Sequence, residues 1–359
     1  MTPRPGARMT SHDGRAADGP KVVALGGGHG LAASLSALRR ITTRLTAVVT
    51  VSDDGGSSGR LRKEFGVLPP GDLRMALAAL CGDDPWGRTW AEVVQHRFKS
   101  SGDLADHALG NLLIVAINEL LGDEVAALDL VAELLRAQGR VLPMSVVPLD
   151  IEADVAGLDP EHPRASRTVR GQVAVATARG EIVGVRLVPA DPPACPQAVA
   201  AIHEADWIVL GPGSWFSSVI THLLVPELAE ALVTSSARKL VALNLAPQPG
   251  ETSNFSPENH LDVLAAHAPG LSVDVVLADE GVVANTDTLR SAVADLGGRL
   301  VLAPVAMDDG TPRHDPKRLA AAYDGILGGS ADEADEADEA DEADEADEAE
   351  ESERSPRWR

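Results

Sequence analysis

Cysteine is nearly absent from this 359-residue chain: Cys81 and Cys195 are the only two, with no CxxC pair and no His/Cys cluster. That excludes a disulfide scaffold and a structural zinc site of the usual spacing. Aromatic residues make up only 3% of the chain, so a core drawn from its 44% hydrophobic residues has to be built of Ala, Val and Leu. No run approaches the roughly 18 apolar residues of a membrane span. Residues 1–19 are rich in Arg, Gly, Ser and Asp and lack the apolar centre of a secretion signal. A basic stripe that would draw nucleic acid or anionic lipid is also missing. These absences point to a cytoplasmic protein with no nucleic-acid partner and no membrane insertion.

Acid is abundant instead, but it is concentrated. Of the formal net charge of −23, the stretch from Ala331 to Arg359 holds −12, from 15 acids and 3 bases. Within it Ala-Asp-Glu repeats six times. A period of three winds the acids around every face of a helix, and like-charge repulsion favours a solvated tail. The expected organisation is a disordered N-terminal tail over 1–19, an α/β domain over 20–328 and a disordered acidic tail over 329–359.

The domain opens with a βαβ pattern. Lys21–Leu25 is a short apolar run ending in glycines, Leu31–Arg40 has helical spacing, and Leu45–Val51 is a second apolar run. Helical patterns then fill an insertion of about 72–138, with Asp72 expected as a helix cap. Val173–Thr177 and Ile182–Val188, separated by Ala178-Arg179-Gly180-Glu181, read as a β-hairpin. Trp207–Leu210, Lys239–Leu245, Val273–Leu277 and Leu300–Val305 read as further strands. The fold expected is a Rossmann-like, doubly wound, mostly parallel sheet with a helical insertion and a small β-hairpin excursion.

Two glycine-rich stretches dominate the candidate chemistry. Gly26-Gly27-Gly28-His29-Gly30 follows the first strand, and Gly28-x-Gly30-x-x-Ala33 fits a dinucleotide turn. Its glycines allow close approach of backbone to phosphate, and the following helix presents oriented N–H groups. The second stretch runs from Asp53 to Arg62. Asp53 and Asp54 end the second strand, where an acid can bond a ribose hydroxyl or, as a pair, hold Mg²⁺. Gly55, Gly56 and Gly59 let the chain wrap a ligand, Ser57 and Ser58 offer hydroxyls, and Arg60 and Arg62 offer forked donors to phosphate.

Gly211-Pro212-Gly213-Ser214 forms another strand-to-helix turn of the anion-binding kind. Asn244 and Gln248 follow the next strand, Arg313 follows the last, and Asn111 can face a ligand from the insertion. His107 reads as a helix-start residue. No P-loop, nucleophile elbow or nucleophile–base pair can be assigned, so the residues support binding more firmly than catalysis.

These motifs fall in one order. Gly26–Gly30, the Asp53–Arg62 stretch, Gly71-Asp72, Gly110-Asn111-Leu112-Leu113, Gly211–Ser214, Gln248-Pro249-Gly250-Glu251-Thr252 and Arg313-His314-Asp315 together resemble the gluconeogenesis-factor (YvcK-like) family of the CofD-like superfamily. The resemblance covers roughly Lys21 to Leu327. It implies a cytoplasmic, UDP-N-acetylglucosamine-binding regulator tied to cell shape and wall-precursor supply on gluconeogenic carbon sources. It also implies Arg313 as a nucleotide-sugar contact, and Asp53 and Asp54 as the acidic end of the site. The CofD branch instead transfers phospholactate to a deazaflavin with Mg²⁺, and Gly-Gly-Ser-Ser-Gly-Arg-Leu-Arg after the aspartates resembles the regulator branch. The chain departs from the family pattern at Asp106, where Gly commonly precedes the His, and at Ala246-Pro247, in place of a Met-Thr type pair. Three functions are therefore carried forward: a non-enzymatic nucleotide-sugar regulator with a protein partner in amino-sugar metabolism and a homodimeric state open to it, a Mg²⁺-dependent phospholactate-type transferase, and an NAD(P)-linked enzyme.

Overall fold

The computed structural model describes residues 19–159, 161–162 and 164–328. The expected N-terminal tail, save Gly19, and the expected acidic tail lie outside the described residues.

Seven parallel strands form the central sheet. They are β1 (Val22–Gly26), β2 (Leu45–Val49), β3 (Arg140–Pro143), β7 (Trp207–Leu210), β8 (Arg238–Ala242), β9 (Val275–Asp279) and β10 (Arg299–Ala303). Their order is β10-β9-β8-β7-β1-β2-β3. Helices cover both faces, so the strands read as unbroken apolar runs rather than alternating ones; every residue of β1 and β9 is buried. The chain moves outward from β1 through β2 to β3, then returns to pair β7 on the other side of β1. This reversal makes the carboxyl ends of β1 and β7 the topological switch point, where open α/β sheets bind ligands.

The first βαβ unit forms as expected, with helix Gly28–Leu38 between parallel β1 and β2. Five helices separate β2 from β3, beginning at Gly56 and ending at Leu135. The Asp53–Arg62 stretch is therefore a loop only as far as Gly55. Leu61, Arg62, Lys63 and Glu64 are good helix formers, and left-handed Gly66 closes helix Gly56–Phe65. Asp72 is not the cap of its helix. That helix starts at Pro70, where a proline's missing N–H costs nothing, and Asp72 lies buried in the first turn.

The expected hairpin is corrected as well. Gln172–Ala176 is a short helix, and β6 (Glu181–Val188) pairs instead with β4 (Asp150–Ala156), which also pairs β5 (Ser166–Arg170) in an antiparallel three-stranded sheet. A short apolar run such as Val-Ala-Val-Ala does not by itself separate strand from helix. Asp54 decides it here, accepting the Val173 N–H at 3.0 Å at the start of the short helix. β5 escapes a hydrophobicity reading because it is exposed and polar, held partly by the Arg170–Asp150 ion pair.

The few aromatic residues are placed where size matters: Trp207, Trp215 and Tyr323 are fully buried. Tyr323, on helix Pro316–Gly328, shares a buried hydrogen bond of 2.9 Å with Ser34 on helix Gly28–Leu38. It locks the last helix onto the first. Both cysteines are buried and unpaired. No single described helix is long and apolar enough to cross a membrane.

Tyr323→Phe keeps the ring but leaves the buried Ser34 hydroxyl without its partner. The expected loss is about 1 kcal/mol of stability, measured by urea unfolding; an unchanged midpoint would contradict this role.

Candidate functional site

A crevice of about 590 Å³ opens at the switch point, within the roughly 300–1,000 Å³ common for ligand pockets. Its floor is two glycine turns in direct contact. A Cβ on Gly30 would lie 2.2 Å from the Pro212 carbonyl oxygen, and one on Gly27 would lie 2.3 Å from Thr50 Oγ1 and 2.5 Å from Asp72 Oδ2. No side chain fits at either place. Helix Gly28–Leu38 starts in this floor with a glycine at its cap and no acid in its first turn, and of its leading amides the Gly28 N–H is taken by Asp72. Its positive end is thus available to an anion. Gly27, Gly28, exposed His29, Gly30, Gly213 and Ser214 all line the crevice; Gly211 supports the turn from behind, with a left-handed φ of 77°.

The opposite wall comes from the loop after β8. Asn244 clasps Gly213, accepting its N–H at 2.9 Å and donating to its carbonyl at 2.8 Å. Gln248 accepts the Trp215 N–H at 3.1 Å. Buried Glu251 accepts from the Phe216 and Ser217 amides and the Ser217 hydroxyl. Burial raises the Glu251 carboxyl above its ordinary range. These residues line or back the crevice chiefly by fixing the second glycine turn. Ala246 and Pro247 also line it.

Arg313 reaches the crevice rim from the loop after β10, where it pairs with Asp309 at 2.7 Å and remains 64% exposed. The loop is held by Asp279 at the end of β9, which accepts the Val305 and Ala306 amides at 2.8 Å each. Burial pushes neighbouring His314 down to about 4, so it is neutral near pH 7.

The two aspartates expected as a pair diverge. Asp54 is turned to Val173 and lines no part of the crevice. Asp53 instead shares its space with Asp72, a partner that sequence spacing does not reveal. A Cβ on Gly71 would stand 2.3 Å from Asp53 Oδ2. Asp72 accepts from Thr50 Oγ1 at 2.9 Å and from the Gly28 amide. Burial, then the nearby Asp53 charge, raise Asp72 to about 6. Burial likewise raises Asp53, against the Gly55 amide and Ser58 hydroxyl that bond its charged form. Mg²⁺ accepts one or two protein carboxylates beside phosphate oxygens and waters; Asp53 with Asp72 fits that demand, and Asp53 with Asp54 does not. Among the described residues no group of three or more His, Cys, Asp or Glu could hold a metal.

Asp72 also borders a smaller chamber of about 200 Å³, lined by Asp53, Gly55, Gly56, Ser57, Ser58 and Asn111 together with Arg74 and Arg97. Neither arginine is signalled by a motif. Arg60 and Arg62 are on the same helix as the serines but face elsewhere: Arg60 donates to the Asp103 and Ala105 carbonyls, and Arg62 pairs with Asp150 at 2.6 Å. A nucleophile–base contact that spacing could not suggest is also present. Ser57 Oγ lies 2.9 Å from His107 Nδ1, and burial, followed by the Arg60 charge, holds His107 below its ordinary value. The Ser57 hydroxyl also accepts from Asn111 Nδ2 at 3.1 Å. With that set of partners it joins two helices of the insertion. Asp106, before His107, has φ 61°, a left-handed geometry that glycine adopts freely and Asp tolerates better than most residues.

Residues 22–311 match the 2-phospho-L-lactate transferase CofD family. A relative from Mycobacterium tuberculosis, provisionally named a gluconeogenesis factor, is 57% identical over 85% of this chain and 90% of its own. The gluconeogenesis factor of Listeria monocytogenes is 33% identical over 88% of this chain and 98% of its own. The crystal structure of protein BH3568 from Bacillus halodurans superposes with a TM-score of 0.75 at 32% identity, covering 87% of this chain and all of that one. The chain belongs to the gluconeogenesis-factor family of the CofD-like superfamily.

Asp72 has a consequence for stability. Its folded value lies near 6 and its ordinary value near 3.8, so between them the folded chain binds a proton that the unfolded chain lacks. Its contribution therefore grows as pH falls through 6 and is lost as pH rises above it. Asp72→Asn removes this dependence. Between pH 7 and pH 5 the unaltered chain should gain on the order of 1 kcal/mol more than the variant, measured by urea unfolding; parallel pH profiles would contradict the assignment.

Proposed function

We propose that the crevice binds UDP-N-acetylglucosamine and that the protein acts in the cytoplasm as a regulator of wall-precursor supply and cell shape on gluconeogenic carbon sources. The observation that carries this reading is the meeting of the two glycine turns in one crevice. The helix start beyond the Asp72-bound Gly28 amide supplies donors and a positive end for a diphosphate. Arg313 at the rim adds an exposed, forked cation, which can exchange Asp309 for a phosphate. Hydroxyl-rich sugar and ribose groups have Asn244, Gln248 and Ser214 along the wall. The names of the relatives support the metabolic setting. On this reading the output passes to a protein partner in amino-sugar metabolism, and a homodimer is compatible with it.

A second reading, a Mg²⁺-dependent phospholactate-type transferase, is favoured by one specific feature: Asp53 and Asp72 stand together between crevice and chamber, and both hold protons more tightly than ordinary carboxylates. Mg²⁺ on that pair would supply charge neutralisation for a transferring phosphoryl group. Incubation with deazaflavin acceptor, activated phospholactate donor and Mg²⁺ separates the readings: product identifies a transferase, and none is expected.

Calorimetric titration of the full chain with UDP-N-acetylglucosamine should show one saturable site. Arg313→Ala should weaken it about tenfold or more, as befits a charge-assisted contact of roughly 1.5–3 kcal/mol. Absence of heat and of any thermal shift would end the nucleotide-sugar reading.

A further inference from the structure

The smaller chamber on the far side of Asp72 is built for a ligand of its own. Arg74 is only 4% exposed, yet its Nε has no hydrogen-bond partner, and its one side-chain bond goes from Nη1 to Gln95. Arg97 lines the same space and donates only to the Asp106 carbonyl, at 2.8 Å. Among the described residues neither guanidinium has a carboxylate within ion-pair distance. Burial first, then the Arg97 charge, lower Arg74 to about 10 against the opposing charges of Asp72 and Asp53, which still leaves it charged near neutral pH. A buried, unpaired donor on a cation is costly. Arg74 carries one such donor, and with the exposed guanidinium of Arg97 lining the same cavity the pair is satisfied by an anion.

Two further features define what that anion carries. Helix Gly56–Phe65 begins at the chamber with Gly55 as a cap that has no side-chain oxygen, and no acid stands in its first turn. Its amides therefore add to the positive lining. Asn111 is 1% exposed; its Nδ2 is spent on Ser57, and its Oδ1 has no partner. That oxygen can only accept. Asp53 and Asp72 line the same chamber and can only accept while ionised. The lining thus asks for oxygens that accept from arginines and for at least one hydroxyl that donates.

We propose that this chamber is a second ligand site, distinct from the nucleotide crevice, which holds a monoprotonated oxyanion of the phosphate type between Arg74, Arg97 and the start of helix Gly56–Phe65, with its hydroxyl donated to Asn111 Oδ1. Phosphate near neutral pH has both the charge and the proton; sulfate has the charge alone. The same chemistry can arrive as free phosphate or on a small hydroxylated phosphate monoester. The proposal does not rest on the nucleotide-sugar reading: Asp72 borders both spaces, but Arg74, Arg97 and Asn111 line the chamber alone.

Titration calorimetry of the full chain with inorganic phosphate tests it, in the presence of saturating UDP-N-acetylglucosamine and in its absence. One phosphate site is expected in both conditions, with sulfate at least tenfold weaker. Exposed Arg97→Ala should weaken phosphate at least tenfold with its thermal unfolding unchanged, and Arg74→Lys should weaken it similarly. Should Arg74→Lys fail to fold, Arg97→Ala alone decides. Glycerol 2-phosphate binding more tightly than phosphate identifies a monoester as the ligand, and the reverse identifies the free ion. No phosphate heat, equal affinity for sulfate, or phosphate binding untouched in Arg97→Ala would overturn the proposal.

Discussion

Gly30 rests on the carbonyl of Pro212 with no room for a methyl group between them, and most of the site depends on that contact. It presses the turn after β1 against the turn after β7 at the one place where the sheet reverses direction. On its other side the same glycine turn is wedged against Thr50 and Asp72 through Gly27. Backbone is therefore packed on backbone at Gly30 and on side-chain oxygens at Gly27, where a side chain would ordinarily keep the elements apart. The result is a floor made of amides rather than of side chains, which is what a phosphate-bearing ligand requires.

From that contact the charge arrangement follows. Drawing the Gly27 turn against Asp72 buries a carboxylate beside Asp53 and lifts its proton affinity to about 6. Next to these acids the helical insertion buries Arg74 and Asn111, each with an unpaired polar atom. The surrounding loops act mainly as struts. Asn244, Gln248 and Glu251 hold the second glycine turn, and Asp279 holds the segment that delivers Arg313. An exposed cation thus stands at the rim and backbone amides at the floor.

The parallel sheet was legible because buried strands such as Val22–Gly26 and Trp207–Leu210 are continuous apolar runs, and because each glycine turn sits directly after one. What was not legible depends on contacts between residues far apart in the chain. Asp53 was paired by proximity with Asp54, but Asp54 is drawn off by an amide 119 residues away, while Asp72 takes its place. Arg60 and Arg62 looked like phosphate ligands because they follow a glycine loop; folding turns that stretch into a helix, whose periodicity points them at Ala105 and Asp150. Ser57 and His107, 50 residues apart, meet only in three dimensions. Val173–Thr177 failed as a strand because a short apolar run carries no period of its own.

On the proposed function, the two glycine turns form one ligand floor. Hydrogen–deuterium exchange of the full chain with and without saturating UDP-N-acetylglucosamine tests it most directly. Amides of Gly27–Leu31 and Gly213–Trp215 should gain protection together, at one and the same ligand concentration. Protection of only one turn, or of neither while the ligand is bound elsewhere, would contradict it.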